Sequence, residues 1–493
     1  MIVNSSAKLP RPMRRRMRLD RFKQPRADVE ENILSLDTAK LMYNCAVKNG
    51  AIVSSYGIDK ATYTTNDGKT YQLKCYGLVP TKTWQYHRYD NKRGEWDDRI
   101  VITDDESIIE VYINRTTQEG VTLSPSTLLT FEDAINYHYE DKDVLIIASS
   151  LGIYILDDID LTFVENSPKF VSICKHYERI FGVSGDISPR VWFSAPMQPD
   201  NWEVSYDAGG YIDIDHTCGR PYKVVSFLDY VYVFCEYGIY RITAYSNQAE
   251  FSMRKILVSS GMIYPDTITI CADKIMFCSE EGVFVFDGVD AYKVMDSYDS
   301  LRAKKASFGQ SCYYDSKYVV TALLDYGESI SEGDADDRYD PNVNSIILYD
   351  MLTKEVEIVK GLKVDNLLCF KGRSGAKLYM FNRSPIGIAD MNYCQLDESG
   401  ALYGGRLEKK WVSGYTDTGY PDKRKLLRSI TLSPKSDTKM FVTLDGVRYL
   451  YDLIGGYTRK VSINRPFDKM SIEFRCYASE MCITSPVVVI DYT

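Results

Sequence analysis

The chain has 493 residues, 45% hydrophobic and 26% charged, with 59 Lys and Arg against 68 Asp and Glu for a formal charge of −9. That composition belongs to a globular protein and excludes a disordered or fibrous one; division by ~150 residues suggests roughly three domains, fewer if a propeller or barrel is present. No apolar run approaches the ~18 residues of a membrane helix, so an integral membrane protein is not expected.

The first 26 residues differ from the rest. Met1–Ala7 lacks the apolar core of a signal peptide. Lys8, Arg11, Arg14, Arg15, Arg16, Arg18, Arg21, Lys23 and Arg26 then face one acid, Asp20, so the segment carries +8 and the remainder of the chain −17. Pro10, Pro12 and Pro25 oppose a continuous helix. Such a segment can be a solvated tail, a phosphate ligand acting through counterion release, or an extended peptide that folds onto an acidic protein. An Arg-rich mitochondrial presequence fits less well, because the early prolines spoil an amphipathic helix. The acidic body favours protein docking. The expectation is an extended arm, residues 1–30, that leaves its own fold and meets a neighbouring protein, with DNA as second choice; Arg11, Arg14, Arg15, Arg16, Arg18, Arg21 and Arg26 are its candidate interaction residues.

From about residue 40 a repeat emerges. Asp98–Tyr112, Asp143–Asp157, Asp229–Ile242 and Asp273–Asp287 each read as an apolar strand, a short polar turn, a small residue and a second apolar strand. The small residues Ser107, Gly152, Gly238 and Gly282 are spaced by 45, 86 and 44, so a further unit belongs near 195, where Arg179–Val183 and Val191–Ala195 supply the strands. Tyr318–Leu324 with Ser345–Tyr349 reads as a hairpin whose turn has grown into the loop Asp325–Asn344. Lys377–Phe381 with Ile386–Ala389 reads as another. Units of 40–45 residues with about four short strands are the blades of a β-propeller, and six or seven fit residues 31–404. A sandwich of unrelated hairpins is the competing arrangement.

The period then stops. Gly404–Lys410 reads as a linker, and about seven strands follow between Trp411 and Tyr492, with a turn signal at Asp445-Gly446, the density of a small β-sandwich over residues 405–493. The expected fold is thus all-β: a six- or seven-bladed propeller, a small C-terminal sandwich and an extended basic N-terminal arm.

Catalytic and metal motifs are missing. There is no HExxH, GxSxG, GxGxxG or CxxC, and the four histidines are scattered. The twelve cysteines lie mostly in apolar strands, which predicts buried, reduced thiols and folding in a cytoplasm. Gly68-Lys69-Thr70 has Tyr63 where a P-loop needs its first Gly, and Asn66-Asp67-Gly68 reads as a hairpin turn; the same stretch is one residue short of a sialidase Asp-box. Trp96-Asp97 is a single WD dipeptide, which does not support the WD40 family. The acidic runs Glu332–Asp340, Asp157-Asp158 with Asp160, and Asp213-Ile214-Asp215 have no accompanying His, Cys or Arg arrangement. A carboxylate-pair glycosidase has no specific signal. No enzyme, no cofactor and no metal are expected.

Arg190-Val191-Trp192-Phe193-Ser194-Ala195-Pro196, with Pro199-Asp200-Asn201-Trp202-Glu203, resembles a signature of tailed-bacteriophage β-propeller virion proteins. Gly238-Ile239-Tyr240-Arg241, Ser259-Ser260-Gly261, Gly282–Gly288 and Tyr420–Arg428 do as well. The likeness spans roughly residues 180–430 and is similar to tail-hub and packaged-DNA stabilisation proteins; the basic arm has no counterpart in it. The resemblance implies a structural virion protein of the neck or tail, synthesised in the host bacterial cytoplasm. Its partners would be portal, adaptor or tail components and further copies in a ring, with packaged DNA nearby and no membrane. The runner-up is a receptor- or glycan-binding propeller with hydrolase activity.

Overall fold

The computed structural model describes residues 13–26, 34–64, 68–73, 81–103, 108–112, 120–125, 129–184, 189–206, 208–245, 247–296, 298, 308–326, 345–361, 364–372, 375–381, 393–401 and 406–493. Their regular structure is β-strand, with short 3-10 turns such as His216–Cys218.

Six four-stranded antiparallel sheets follow one another in chain order over residues 82–123, 131–164, 172–213, 221–258, 269–294 and 308–360, each a simple meander. A further sheet takes Asn366–Gly372, Gly375–Phe381 and Tyr393–Asp397 from late in the chain and its fourth strand, Gly57–Lys60, from early in it. The strands in the middle of each sheet are covered on both faces, which is why they read as unbroken apolar runs: Val144–Ala148 and Val231–Cys235 are buried throughout.

The repeat is visible in the backbone. The turn from first to second strand is two residues long in five consecutive sheets. Its first residue, Glu140, Tyr177, Leu228, Ala272 or Asp315, sits at φ between 46° and 54° whatever its side chain. Gly152, Gly238 and Gly282 all fall at the turn between second and third strands, as their spacing predicts. At Gly152 a Cβ would lie 2.6 Å from Ser167 Oγ; at Gly238 it would lie 2.5 Å from Cys218 Sγ. Ser107 lies outside the described residues, as do most of the loop 325–344 and the expected strand at 386–389. Thr62–Thr64 pairs antiparallel with Thr70–Gln72, as the expected hairpin requires, and Gly68 sits at φ 81°; Asn66 and Asp67 lie outside the described residues.

Each sheet packs face to face on the next. Tyr86 and Val101 meet Phe131, Leu145 and Ile147; Ile146 and Ile153 meet Ile173 and Ile180; and so on around the series. The last sheet returns to the first: Leu368, Phe370 and Phe381 share a cluster with Ile100 and Ile102. Gln85 Nε2 donates to Lys371 O while Lys371 N donates to Gln85 Oε1, both at 2.9 Å. This is the sheet order of a β-propeller.

Two more sheets gather the two ends of the chain. One is ordered Met13–Arg18, Val487–Tyr492, Lys425–Leu432, Arg459–Phe467; the other Ala39–Tyr43, Lys409–Ser413, Met470–Cys476, Thr438–Leu444, Val447–Leu453. They share a core that includes Leu19, Phe22, Trp411, Leu427, Ile472 and Ile490. The strands expected after Trp411 are present. The expected division at residues 30/31 and 404/405 does not follow the pairing, because Met13–Arg18 and Ala39–Tyr43 belong to the sheets of the C-terminal strands. The expectation that the arm leaves its own fold fails for residues 13–26. Leu19 and Phe22 are buried, and Gln24 Oε1 accepts from Val356 N at 3.1 Å. Charge dominated the sequence reading, yet the apolar residues between the cations decide where the segment packs.

Candidate interaction surface

The candidate arm residues are sorted by a sheet edge. Met13–Arg18 pairs antiparallel with Val487–Tyr492, from Met13↔Tyr492 to Arg18↔Val487. Strand alternation turns Met17 toward the terminal core and leaves Arg14, Arg16 and Arg18 exposed on the other face. The cross-strand row through Arg18, Val487 and Thr431 ends at Lys460, which adds a cation to that face.

Arg14 donates from Nε and Nη2 to Asp491 Oδ1 and Oδ2 at 2.8 and 3.1 Å, and Arg428 Nε donates to Oδ2 at 2.6 Å. Asp491 is nearly buried. Its bonds to Arg14, and secondarily to Arg428, hold its carboxyl down at about 2 although burial opposes them. The result is a face with Arg14, Arg16, Arg18, Arg428 and Lys460, two of them (Arg14 and Arg428) on one carboxylate, on a chain that is acidic overall. Arg15 points the other way: its Nη1 donates to Tyr420 Oη at 3.2 Å and the guanidinium lies over that ring. Arg21 and Arg26 are exposed elsewhere, and Arg11 lies outside the described residues. The structure thus brings together three of the seven candidate arginines and adds Arg428, Lys460 and Asp491. The signal for Asp491 was its place as the one acid in the apolar run Val487–Tyr492. Arginines on an edge strand also block edge-to-edge pairing, and that role needs no ligand.

A second polar set lies where the first strands of the sheets converge. Asp133 Oδ2 accepts from Ser172 Oγ at 2.8 Å, Ile173 N at 3.2 Å and Lys223 Nζ at 2.7 Å, joining three sheets. Lys82 Nζ reaches Asp266 Oδ1 at 3.0 Å, and Thr269 and Ser311 hydroxyls meet at 2.6 Å. These groups are paired with one another, as load-carrying ties between sheets are. The acidic runs are paired too, within a sheet or between sheets. Asp213 pairs with Arg190, and Asp157 with Lys142. Asp158 takes both Arg88 and the fully buried Arg99, while Asp97 binds Arg99 at 2.7 Å. Asp215 caps a 3-10 turn; its bonds from Thr217 and then Tyr240 hold it at about 2. Residues 332–340 lie outside the described residues. Among the described residues no group of three or more His, Cys, Asp or Glu is placed to hold a metal, and every described cysteine is free.

No protein-family model matches the chain, and no curated protein sequence matches it. Among solved structures it is similar to the WD40 β-propeller domain of Doa1, at 8% identity and TM-score 0.40, covering 69% of this chain and 96% of that one. It is also similar to the WD40 domain of Neurospora crassa Pan2, at 10% identity and TM-score 0.37, covering 65% and 94%. A third is apo AztD from Citrobacter koseri, at 11% and 0.32, covering 63% and 80%.

Proposed function

We propose that the chain is a non-catalytic assembly protein: a seven-bladed β-propeller, closed by Gly57–Lys60 completing the last blade, with a β-sandwich built from both ends of the chain. The resemblance in sequence suggests the setting, the neck or tail of a tailed-phage particle, with portal, adaptor or tail proteins and further copies as neighbours. One observation carries the reading. The described acidic and basic groups that could have formed a catalytic set are paired with one another, within sheets and between them, while the basic sheet face around Arg16 and Arg18 is turned outward with no described carboxylate on either residue. A rigid ring with loops on both faces and one oppositely charged patch suits contacts between macromolecules.

Mass spectrometry of purified particles from the phage that carries this gene tests the proposal. Recovery of the protein at several copies per particle is the expected result; its absence from intact particles refutes the setting. Turnover of any member of a glycan panel by the purified protein would refute the non-catalytic reading and select the glycan-processing alternative.

A further inference from the structure

A cleft of about 340 Å³ opens between the third and fourth sheets, lined by residues 176–179 with Phe181, Ala244, Tyr245 and Phe251. Its position follows from two connections. His176 ends the first strand of the third sheet, Tyr177-Glu178 make the two-residue turn, and Arg179 opens the next strand. Ala244, Tyr245 and Phe251 come from the connection between Gly238–Thr243 and Ser252–Val258.

Two of the lining groups are buried without the partners such groups ordinarily have. His176 is 3% exposed; its Nδ1 lies 2.9 Å from Ser226 Oγ, and its Nε2 has no hydrogen-bond partner among the described residues. Burial lowers its pKa, with Asp229 opposing weakly, so the ring is neutral at pH 7. Arg179 is 7% exposed. Its Nη1 donates to Ser194 O and Ala208 O, both at 2.7 Å, and the guanidinium lies 5.4 and 5.8 Å from the Phe193 and Phe251 ring centres. No described carboxylate forms an ion pair with it, whereas buried cations are ordinarily paired. At the mouth Tyr177 and Tyr245 are half exposed, with ring centres 6.4 Å apart.

We propose that this cleft binds a small monocarboxylate carrying one ring, its carboxylate received by Arg179 and its ring by Tyr177 and Tyr245. The donor chemistry is self-consistent: Arg179 Nη1 is taken by the two carbonyls, which leaves Nε and Nη2 to donate to a carboxylate. The volume is at the small end of ligand pockets and suits one ring. Glu178 in the lining, and Asp229, which accepts from Tyr177 Oη at 3.4 Å, weigh against a more highly charged ligand. An aromatic acid and an acidic sugar share this chemistry. The inference does not depend on the proposed assembly role.

Isothermal titration of the full chain at pH 7 with benzoate and glucuronate, and with the neutral counterparts benzamide and glucose, tests it. At least one carboxylate is expected to saturate with a millimolar or tighter Kd, and its neutral counterpart to bind about tenfold or more weakly. Benzoate alone assigns an aromatic acid, glucuronate alone an acidic sugar. Tyr245→Ala, at the exposed rim, is expected to weaken binding about fivefold without changing the melting temperature. Arg179→Lys keeps the charge but removes the planar fork, and is expected to weaken it about tenfold; if that variant does not fold, Arg179→Gln carries the comparison. The proposal is overturned if neither carboxylate saturates, if the neutral counterpart binds equally, or if the Tyr245 and Arg179 variants keep full affinity.

Discussion

Phe22→Ala separates a docked N-terminal segment from a free one. Phe22 is 3% exposed, and its ring meets Trp411 edge-on, with centres 5.0 Å apart and planes at 74°. Its backbone N–H donates to Gly50 O at 3.1 Å, a bond that Ala retains, so the loss comes from the side chain. Emptying a core Phe site costs about 3–5 kcal/mol. Phe22 lies between the exposed Arg21 and Lys23, where neighbours can close in, which places the expected loss near the lower end, about 3 kcal/mol. Phe22→Leu keeps most of the volume and is expected to cost about 1 kcal/mol. Urea unfolding followed by tryptophan fluorescence reads both, because Trp411 is fully buried against this ring. A loss below about 0.5 kcal/mol for Phe22→Ala, the range of surface substitutions, would refute the packing of residues 19–26.

The Asp491 carboxyl titrates at about 2, below its ordinary value, so its contribution to stability is complete above pH ~4 and disappears as pH falls toward 2. Asp491→Asn is therefore expected to flatten the stability profile between those values; an unchanged profile by chemical unfolding would count against the Arg14–Asp491–Arg428 cluster. At Gly238 a Cβ would sit 2.5 Å from Cys218 Sγ and 2.6 Å from Leu257 O, so Gly238→Val is expected to destabilise by ~1–3 kcal/mol. A melting temperature within about one degree of the parent would show that the turn relaxes freely. Asp133→Ala leaves Lys223 and the Ser172 hydroxyl without their acceptor, with an expected loss of about 3 kcal/mol in urea unfolding and a smaller one for Asp133→Asn. Equal losses for the two variants would mean that charge plays no part in the tie.

The propeller repeat was legible because its carriers are local. The glycines at 152, 238 and 282 and the apolar runs before them reflect a turn and a doubly covered strand, and both leave marks within fifteen residues. Strand pairing between distant segments leaves no such mark. Nothing in Gly57–Lys60 announces a partner in Tyr393–Asp397, and nothing in Met13–Arg18 announces Val487–Tyr492. The basic segment misled because its charge is conspicuous and its apolar residues are few, yet Leu19 and Phe22 determine its place. The cleft at His176 was invisible for a related reason: its lining joins a turn of one sheet to a connection of the next. The isolated His gave no sign that one ring nitrogen would lie buried and unsatisfied.

The pairing of Met13–Arg18 with Val487–Tyr492 also sets a schedule for biosynthesis. The first of these strands leaves the ribosome some 470 residues before its partner, about 25–95 s at ~5–20 residues per second. Gly57–Lys60 waits about 335 residues for Tyr393–Asp397. Throughout that interval the nascent chain displays strands with no ladder to join, the condition under which polypeptides stick to one another. Four of the six residues of the first strand are arginine, and like charges on neighbouring nascent chains repel. On this view the cations protect the polypeptide before the fold is complete, and one segment serves as a guard during synthesis and as the final seam afterwards.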